Sequence, residues 1–522
     1  MELFPLTLPK SNICMETELY YRSNHLVQYN EQAGQISFDK KTVLTLDTYF
    51  NCFSYQKYLQ YTSAHILEAH LQLQGEVQLR LMKAELCGKK IQRTTLLTQT
   101  VRQEQLAEAI LLYDFSKETG NGILYLELTA LSKTVVFAGG FYASPVLKEQ
   151  INPTKLAAVI CTYKREQYVQ RNLEHLRQTI FIQQEQEIAR HLEIFVVDNG
   201  QTLQKEAIEQ ENVRLFPNKN YGGSGGFTRG IIEALRRKEE FSHVLLMDDD
   251  ILLESNVLVK TIRFLQLVRP EHQDLAIGGS MLRLDDMKVQ HEAGGKWTGY
   301  KVNCSRANNN LLNVSSLLEN ENFAAVDFCG WWYIAIPLVD VDENKLPMPY
   351  FIKNDDVEYG IRIAKKLDFL NGVGIWHAPF QIKEALPLEY YYVRNILITN
   401  SIHDVATWRN CYLLIRRVGK YMLRKEYHAI SIHTKAINDF FQGFQQFKQI
   451  ESDVFHQQLI KQCKQLEKNQ KNSLKNNFFI TGFILIAYCA KLLLLYPKKA
   501  KQYKAHYTEV TNTTFWNEKL EC

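Results

Sequence analysis

The stretch His243–Asp250, HVLLMDDD, constrains this chain more than any other. Four apolar residues, Val244 to Met247, run unbroken. That suits a strand buried on both faces of a parallel sheet, although periodicity alone leaves a short helix open. Three aspartates follow at once. Adjacent carboxylates at the end of a buried strand repel one another, and desolvation makes the repulsion worse. A divalent cation relieves it. Residues i and i+2 of a strand face the same way, so Asp248 and Asp250 reach one ion. Oxygen ligands favour Mg2+ or Mn2+. The competing reading is an acidic helix N-cap that follows a strand.

The surrounding segments repeat this grammar. Leu156–Ile160 is an apolar run followed by Cys161-Thr162-Tyr163-Lys164-Arg165, and a helical stretch spans Tyr168–Ile182. Leu192–Val197 ends in Asp198-Asn199-Gly200, and Val213–Phe216 is a short third run. Asn218 to Phe227, with glycines at 222, 223, 225 and 226, leads into a helix reaching about Lys238. Strand, helix, strand, short strand, helix, strand predicts an open α/β sheet. Ligands of such sheets bind beyond the carboxyl ends of the strands. Arg165, Asp198, the glycine turn and Asp248–Asp250 all fall on that edge. The turn lets backbone amides approach a ligand and feeds a helix N-terminus, which favours an anion. It lacks the acidic partner of a dinucleotide fingerprint and the Gly-Lys-Ser/Thr of a P-loop. Many such turns are only tight connections.

Three later features belong with these. Trp331 and Trp332 are adjacent, either as a core pair or as the wall of a sugar site. Asp355, Asp356 and Glu358 form a second acidic cluster, opening an expected helix Val357–Leu367. Acidic residues are common in a first helical turn, yet three in four positions after an apolar run are harder to dismiss. His377 ends a further short run, where a third metal ligand is needed; a lone histidine is otherwise a satisfied polar group.

Residues 1 to about 150 differ. Thr42–Leu46, Glu76–Leu81 and Gly122–Leu128 alternate apolar and polar, which predicts an antiparallel β-sandwich or barrel. Gln103–Tyr113 is expected to be a short helix or a loop crossing the sheet. This part is either a structural or oligomerising module or a carbohydrate-binding one. From about residue 386 the chain is helical in character. Phe478–Tyr496 is 19 residues long and mostly apolar, with Lys491 inside it, near the roughly 20 residues a spanning helix needs. Lys468, Lys471 and Lys475 precede it; Lys498, Lys499, Lys501 and Lys504 follow. Basic flanks around an apolar helix suit an anionic membrane surface. A helix packed into its own domain and a true span are the alternatives.

Composition excludes several classes. A net charge of +4, with no basic stripe interleaved with aromatics, argues against nucleic acid. Ten cysteines without a CxxC pair argue against a zinc site or disulfide framework and fit a reducing compartment. The opening MELFPLTLPK lacks the basic and apolar regions of a signal peptide.

Taken in order, Cys-Thr-Tyr-Lys-Arg165, Val-Asp198-Asn-Gly, Asn220-Tyr-Gly-Gly-Ser-Gly-Gly-Phe, Met-Asp248-Asp-Asp250, Gly-Trp331-Trp332, Lys-Asn-Asp355-Asp356-Val-Glu358-Tyr-Gly and Ile-Trp-His377 resemble the galactofuranosyltransferases of glycosyltransferase family 2. The likeness covers roughly residues 150 to 400. It implies an α/β, GT-A type catalytic domain over 151–385, an N-terminal β-sandwich over 1–150 and a helical domain over 386–522. It implies that Asp248, Asp250 and His377 hold Mn2+ or Mg2+, and that Thr162, Arg165, Asp198, Asn220 and Asp249 contact a UDP-sugar donor. Asp356 matches the catalytic base. His291, more loosely aligned, and Trp331, Trp332, Asp355 and Glu358 match residues that shape the sugar and acceptor site. The implied reaction is inverting transfer of galactofuranose to a cell-surface glycan or lipid-linked acceptor. The implied location is the inner face of a bacterial membrane, in a protein that a homo-oligomer would suit. The C-terminal part departs from the family pattern, so single-residue transfer is expected rather than processive polymerisation. Two readings stay open: a family 2 enzyme with another donor, such as dTDP-rhamnose, and a non-catalytic carbohydrate-binding protein.

Overall fold

The computed structural model describes residues 1–182, 186–323, 325–363, 365–379, 386–470 and 478–520. Its N-terminal part is built on a long hairpin, β1 (Ile66–Cys87) and β2 (Lys90–Asp114), followed by β3 (Gly122–Ala130) and β4 (Thr134–Ala143). Leu67, Ala69, Leu71 and Leu73, then Val77, Leu79 and Leu81, point inward from β1, the two-residue period of a half-buried strand. β1 pairs with β2 along one edge. On its other edge it hands over from β4, at Glu68–Gln74, to β3, at Val77–Glu85. The antiparallel network of nine strands is continuous and forks into two leaves at that handover. Gln103–Tyr113, expected as a helix or loop, is strand: it is part of β2. Apolar residues on both faces hide its alternation: Ala109 and Leu111 are buried, while Leu106, Ile110 and Leu112 on the other face are exposed.

The central sheet contains β5 (Leu156–Thr162), β6 (Leu192–Asp198), β7 (Val213–Pro217), β8 (His243–Asp248), β9 (Leu275–Arg283), β10 (Val289–Glu292), β11 (Tyr333–Pro337) and β12 (Lys366–His377). The order β7-β6-β5-β8 is parallel, and β11 adds to β8 antiparallel. This is the open α/β sheet that the apolar runs predict. Helices α1 (Glu166–Leu176), α2 (Gly222–Arg236), α3 (Asn256–Gln266) and α4 (Asp355–Ile363) surround it. Helix α4 is shorter than the expected Val357–Leu367, because Lys366 and Leu367 already open β12.

The remaining chain is helical: α5 (Leu386–Ile402), α6 (Thr407–Leu423), α7 (Tyr427–Gln442), α8 (Ser452–Gln470), α9 (Phe478–His506) and α10 (Thr513–Leu520). Lys471 and Lys475 of the basic flank lie outside the described residues. Among the described residues, no helix is long and apolar enough to cross a membrane.

Polar bonds join the N-terminal part to the central sheet. Lys57, fully buried, gives its ammonium to Asp368 at 3.0 Å and to the carbonyls of Asn320 and Phe369. Ser54 donates to Glu321 at 2.7 Å and Tyr20 to Glu254 at 2.8 Å.

Candidate active site

β8 ends at Asp248, and the turn that follows carries Asp249 and Asp250. Asp248 and Asp250 face His377 at the end of β12. The short strand Leu252–Leu253 turns back and pairs antiparallel with Ile375–Trp376, which draws the two chain ends together. His377 Nε2 lies 3.2 Å from Asp250 and 3.8 Å from Asp248. One ligand atom from each of the three residues falls within 4.8 Å of the others. Nδ1 of His377 lies 2.6 Å from the carbonyl of Ala378, a partner that only a protonated Nδ1 can use. That leaves Nε2 as the ligating atom.

The electrostatics fit a cation. Burial, with Asp250 and Asp249 adding like charge, pushes the Asp248 carboxyl up to about 7 against the pull of His377. Burial also raises Asp250, but the hydrogen bond from His377 and the charge of Arg165 outweigh it and hold the group down at about 2. Two carboxyls and an imidazole, one carboxyl poorly compensated, suit a divalent ion with an oxygen-rich set.

Asp249 points the other way. It accepts from Thr162 Oγ1 at 2.7 Å and from Arg165 at 3.2 Å, while Arg165 also meets Asp250 at 2.7 Å. Thr162 and Asp249 are buried; Arg165 is half-exposed and is the one with surface left for a ligand. Asp198, expected to contact the donor, is bound to its own loop. Its oxygens accept from the backbone N–H groups of Gly200, Thr202 and Leu203 at 2.7–2.8 Å, and it is 1% exposed. It folds the loop after β6. Asn220 accepts from Gly222 N–H and donates to Asp453 of α8 at 3.2 Å, bridging to the helical part.

The glycine-rich stretch is the first turn of α2, not an open loop. Gly222 has φ +67°, and a Cβ there would sit 2.1 Å from the carbonyl oxygen of Phe351. A Cβ on Gly226 would sit 2.1 Å from the sulfur of Cys161. These glycines let α2 lie against β5 and the 350–354 loop. The anion at this helix N-terminus belongs to the chain itself: Ser224 Oγ donates to Asp355 at 2.9 Å.

Asp355 and Asp356 open α4. Asp355, expected to shape the acceptor site, is buried and accepts from Ser224. Asp356 is largely buried with part of its surface open, and it accepts from Val357 N–H at 2.8 Å. Burial, then the charge of Asp355 and of Glu292, pushes its carboxyl up to about 8. Glu292 is a residue the motifs did not single out. It adjoins His291 on β10 and, by strand alternation, the glutamate is buried while the histidine stays partly exposed. Glu358 is fully buried, paired with Arg362 at 2.7 Å and with His403 at 3.3 Å, which leaves no face for an acceptor. Both tryptophans are interior as well. Trp331 packs edge-on against Phe227 and Tyr359, and Trp332 gives its N–H to the carbonyl of Gly279 at 2.9 Å.

The two acidic clusters share one edge of the sheet. Cys161 pairs in register with Asp248. Its thiol is pushed far up by burial and by the surrounding carboxylates of Asp249, Asp248 and Asp355.

A clamp from α5 sets the loop before Asp355. Phe351, Lys353 and Asn354 all have φ near +70°, a strained region for residues with a Cβ. Asn395 donates to the carbonyls of Tyr350, Ile352 and Lys353 at 2.8–3.4 Å, and Arg394 to that of Tyr350 at 2.8 Å. Asn354 donates to Thr399 at 2.6 Å.

Residues 153–382 match the model of the glycosyltransferase-like family 2. The galactofuranosyltransferase GlfT2 of Mycobacterium tuberculosis is 27% identical over 427 residues, covering 76% of this chain and 64% of that protein. GlfT2 of Mycolicibacterium smegmatis is 25% identical over 431 residues, covering 76% and 63%. The chain thus spans less than two thirds of the length of these relatives. The chain is similar to these galactofuranosyltransferases, and its central α/β sheet, of the kind a GT-A domain has, carries the glycosyltransferase-like family 2 match.

Proposed function

We propose that this galactofuranosyltransferase-like chain moves galactofuranose from UDP-galactofuranose to a glycan or lipid-linked acceptor, with inversion at the anomeric carbon. The observation that carries the reading is the pairing of two unlike carboxyl sites on one sheet edge. Asp248 and Asp250 face His377 and suit a cation; Asp356 sits apart from them with its proton affinity raised.

Arg165, the exposed cation of the cleft, orients an anionic donor. Asp356 takes the proton of the attacking hydroxyl as that oxygen bonds to the anomeric carbon. The bond from that carbon to the diphosphate breaks, and UDP departs with the electron pair. A single displacement inverts the centre. A Mn2+ or Mg2+ ion held by Asp248, Asp250 and His377 would supply positive charge against the departing diphosphate. A raised carboxyl is a better base for a hydroxyl proton than an ordinary one, provided the pH ionises it.

The test is a donor panel. Purified chain is incubated with UDP-galactofuranose, UDP-galactopyranose or dTDP-rhamnose and short galactosyl or rhamnosyl acceptors, with Mn2+ or with chelator, and products are read by mass spectrometry. The expected result is chelator-sensitive addition of one residue from UDP-galactofuranose. Transfer from dTDP-rhamnose alone would replace the donor assignment, and no transfer from any donor would favour a binding protein.

A further inference from the structure

We propose that the helical part holds a binding site for a small soluble phosphate, built around Arg394 and tied through it to the loop before Asp355. The site goes beyond the glycosyl-transfer reading and does not depend on it.

Helices α5, α7, α8 and α9, with the short helix Phe444–Lys448, surround a cavity of about 200 Å3. Arg394, Lys435 and Gln446 supply polar lining, and Phe447, Phe455 and Tyr503 supply rings. A water takes up roughly 30 Å3 in the liquid, so the space admits a phosphate with a small group attached.

Charge identifies the occupant. Arg394 is 3% exposed, and no carboxylate of the described residues forms an ion pair with it. Arg263, equally buried, meets Glu187 at 2.9 Å. A guanidinium taken out of water without an acid is costly. The rings of Tyr390, Tyr391 and Phe447, with centroids 5.1–5.4 Å away, offset part of that cost. Nε and Nη2 donate to Asn395 Oδ1 and to the carbonyl of Tyr350; Nη1 has no hydrogen bond to a described residue. Lys435 lies over the same Tyr390 ring, at 5.6 Å. Asp439 is already claimed, by Lys435 and by the hydroxyl of Tyr390, both at 2.8 Å. Two cations around one ring thus share one acid, and one N–H group is left over. An oxyanion satisfies both the charge and the donor. An arginine that served only the Tyr350 carbonyl would need no cavity beside it.

The same side chain reaches the cleft. Arg394 holds Asn395 at 3.0 Å, and Asn395 donates to the carbonyls of Ile352 and Lys353 in the strained loop. A phosphate that fixes the guanidinium steadies this clamp and slows local opening of the loop. In the sequence, Tyr390-Tyr-Tyr-Val-Arg394-Asn395 sets the arginine near its rings, but Lys435, Gln446 and Tyr503 arrive from later helices.

The test is hydrogen exchange on the full chain, read by mass spectrometry, in inorganic phosphate and in chloride of equal ionic strength. Phosphate is expected to slow exchange over residues 350–354 and Phe444–Lys448. Lys435→Glu is expected to weaken phosphate binding by about tenfold or more, the worth of one hydrogen bond to a charged group. Gln446→Glu puts a repelling charge at an exposed position of the lining and gives the same test should Lys435→Glu fold poorly. Both variants are expected to exchange like wild type in chloride. Equal exchange of the wild type in the two salts would overturn the proposal. So would protection that survives both substitutions, which would place the phosphate elsewhere, as at Arg165 of the cleft.

Discussion

Asp355, Asp356 and Glu292 crowd one side of the cleft, and only Asp355 has a side-chain hydroxyl to settle it, from Ser224. Asp356 therefore keeps its proton to higher pH than the unfolded chain does. Between the ordinary carboxylate range and about 8, unfolding releases that proton, so stability falls as pH rises. Asp356→Asn removes the ionising group. Its melting temperature is expected to equal or exceed wild type at pH 8, while turnover falls by about 10²–10⁴-fold, the range for loss of a general base. Differential scanning fluorimetry and initial rates check the two halves separately. In the wild type, kcat/KM is expected to climb with pH and level off above about 8, because the base works only when ionised. A flat profile would remove Asp356 from that role. Asp250→Ala takes away a carboxyl that His377 and Arg165 both hold. Titration calorimetry with UDP and Mn2+ is expected to show at least about tenfold weaker ion-dependent binding.

At the scale of elements, helix α5 reaches across from the C-terminal part to shape the cleft. Asn395 satisfies three carbonyls of a loop whose backbone is strained at Phe351, Lys353 and Asn354. A strained loop persists only when its surroundings over-determine it. Asn395→Ala is expected to let the loop relax and shift the start of α4. The readout is a fall in kcat of about 10–100-fold with the donor KM little changed, since misplacing a base by about 1 Å has that effect. Equal losses in both constants would mean a general loosening of the site. The glycines of α2 belong to the same assembly. Gly222 admits the backbone of the loop and Gly226 the thiol of Cys161, so helix and loop meet backbone to backbone and the strand's thiol seats directly against the helix.

Across the whole molecule, the N-terminal network and the central sheet are joined by buried polar bonds. Lys57 is the clearest case: its ammonium is fully buried and its carboxylate partner Asp368 is nearly so. Lys57→Met leaves Asp368 as an unpaired buried charge, a change that costs about 3–5 kcal/mol. The expected result is a lower melting temperature, with the single thermal transition separating into two as the halves uncouple. Retention of one transition at the wild-type temperature would show that the joint lies elsewhere.

Local patterns were legible in the chain. Unbroken apolar runs such as Val244–Met247 declared the parallel strands, and the two-residue period put Asp248 and Asp250 on one side, because both depend only on neighbours in sequence. The shared edge also followed from strand direction. What the sequence could not decide was which polar groups find partners across the fold. Asp198, Asp355 and Glu358 look as available as Asp356 until loop amides, Ser224 and the Arg362–His403 pair claim them. The two tryptophans, the glycines of α2 and the strand at Gln103–Tyr113 behave likewise. Their surroundings come from segments tens to hundreds of residues away, and a side chain's role depends on what covers it.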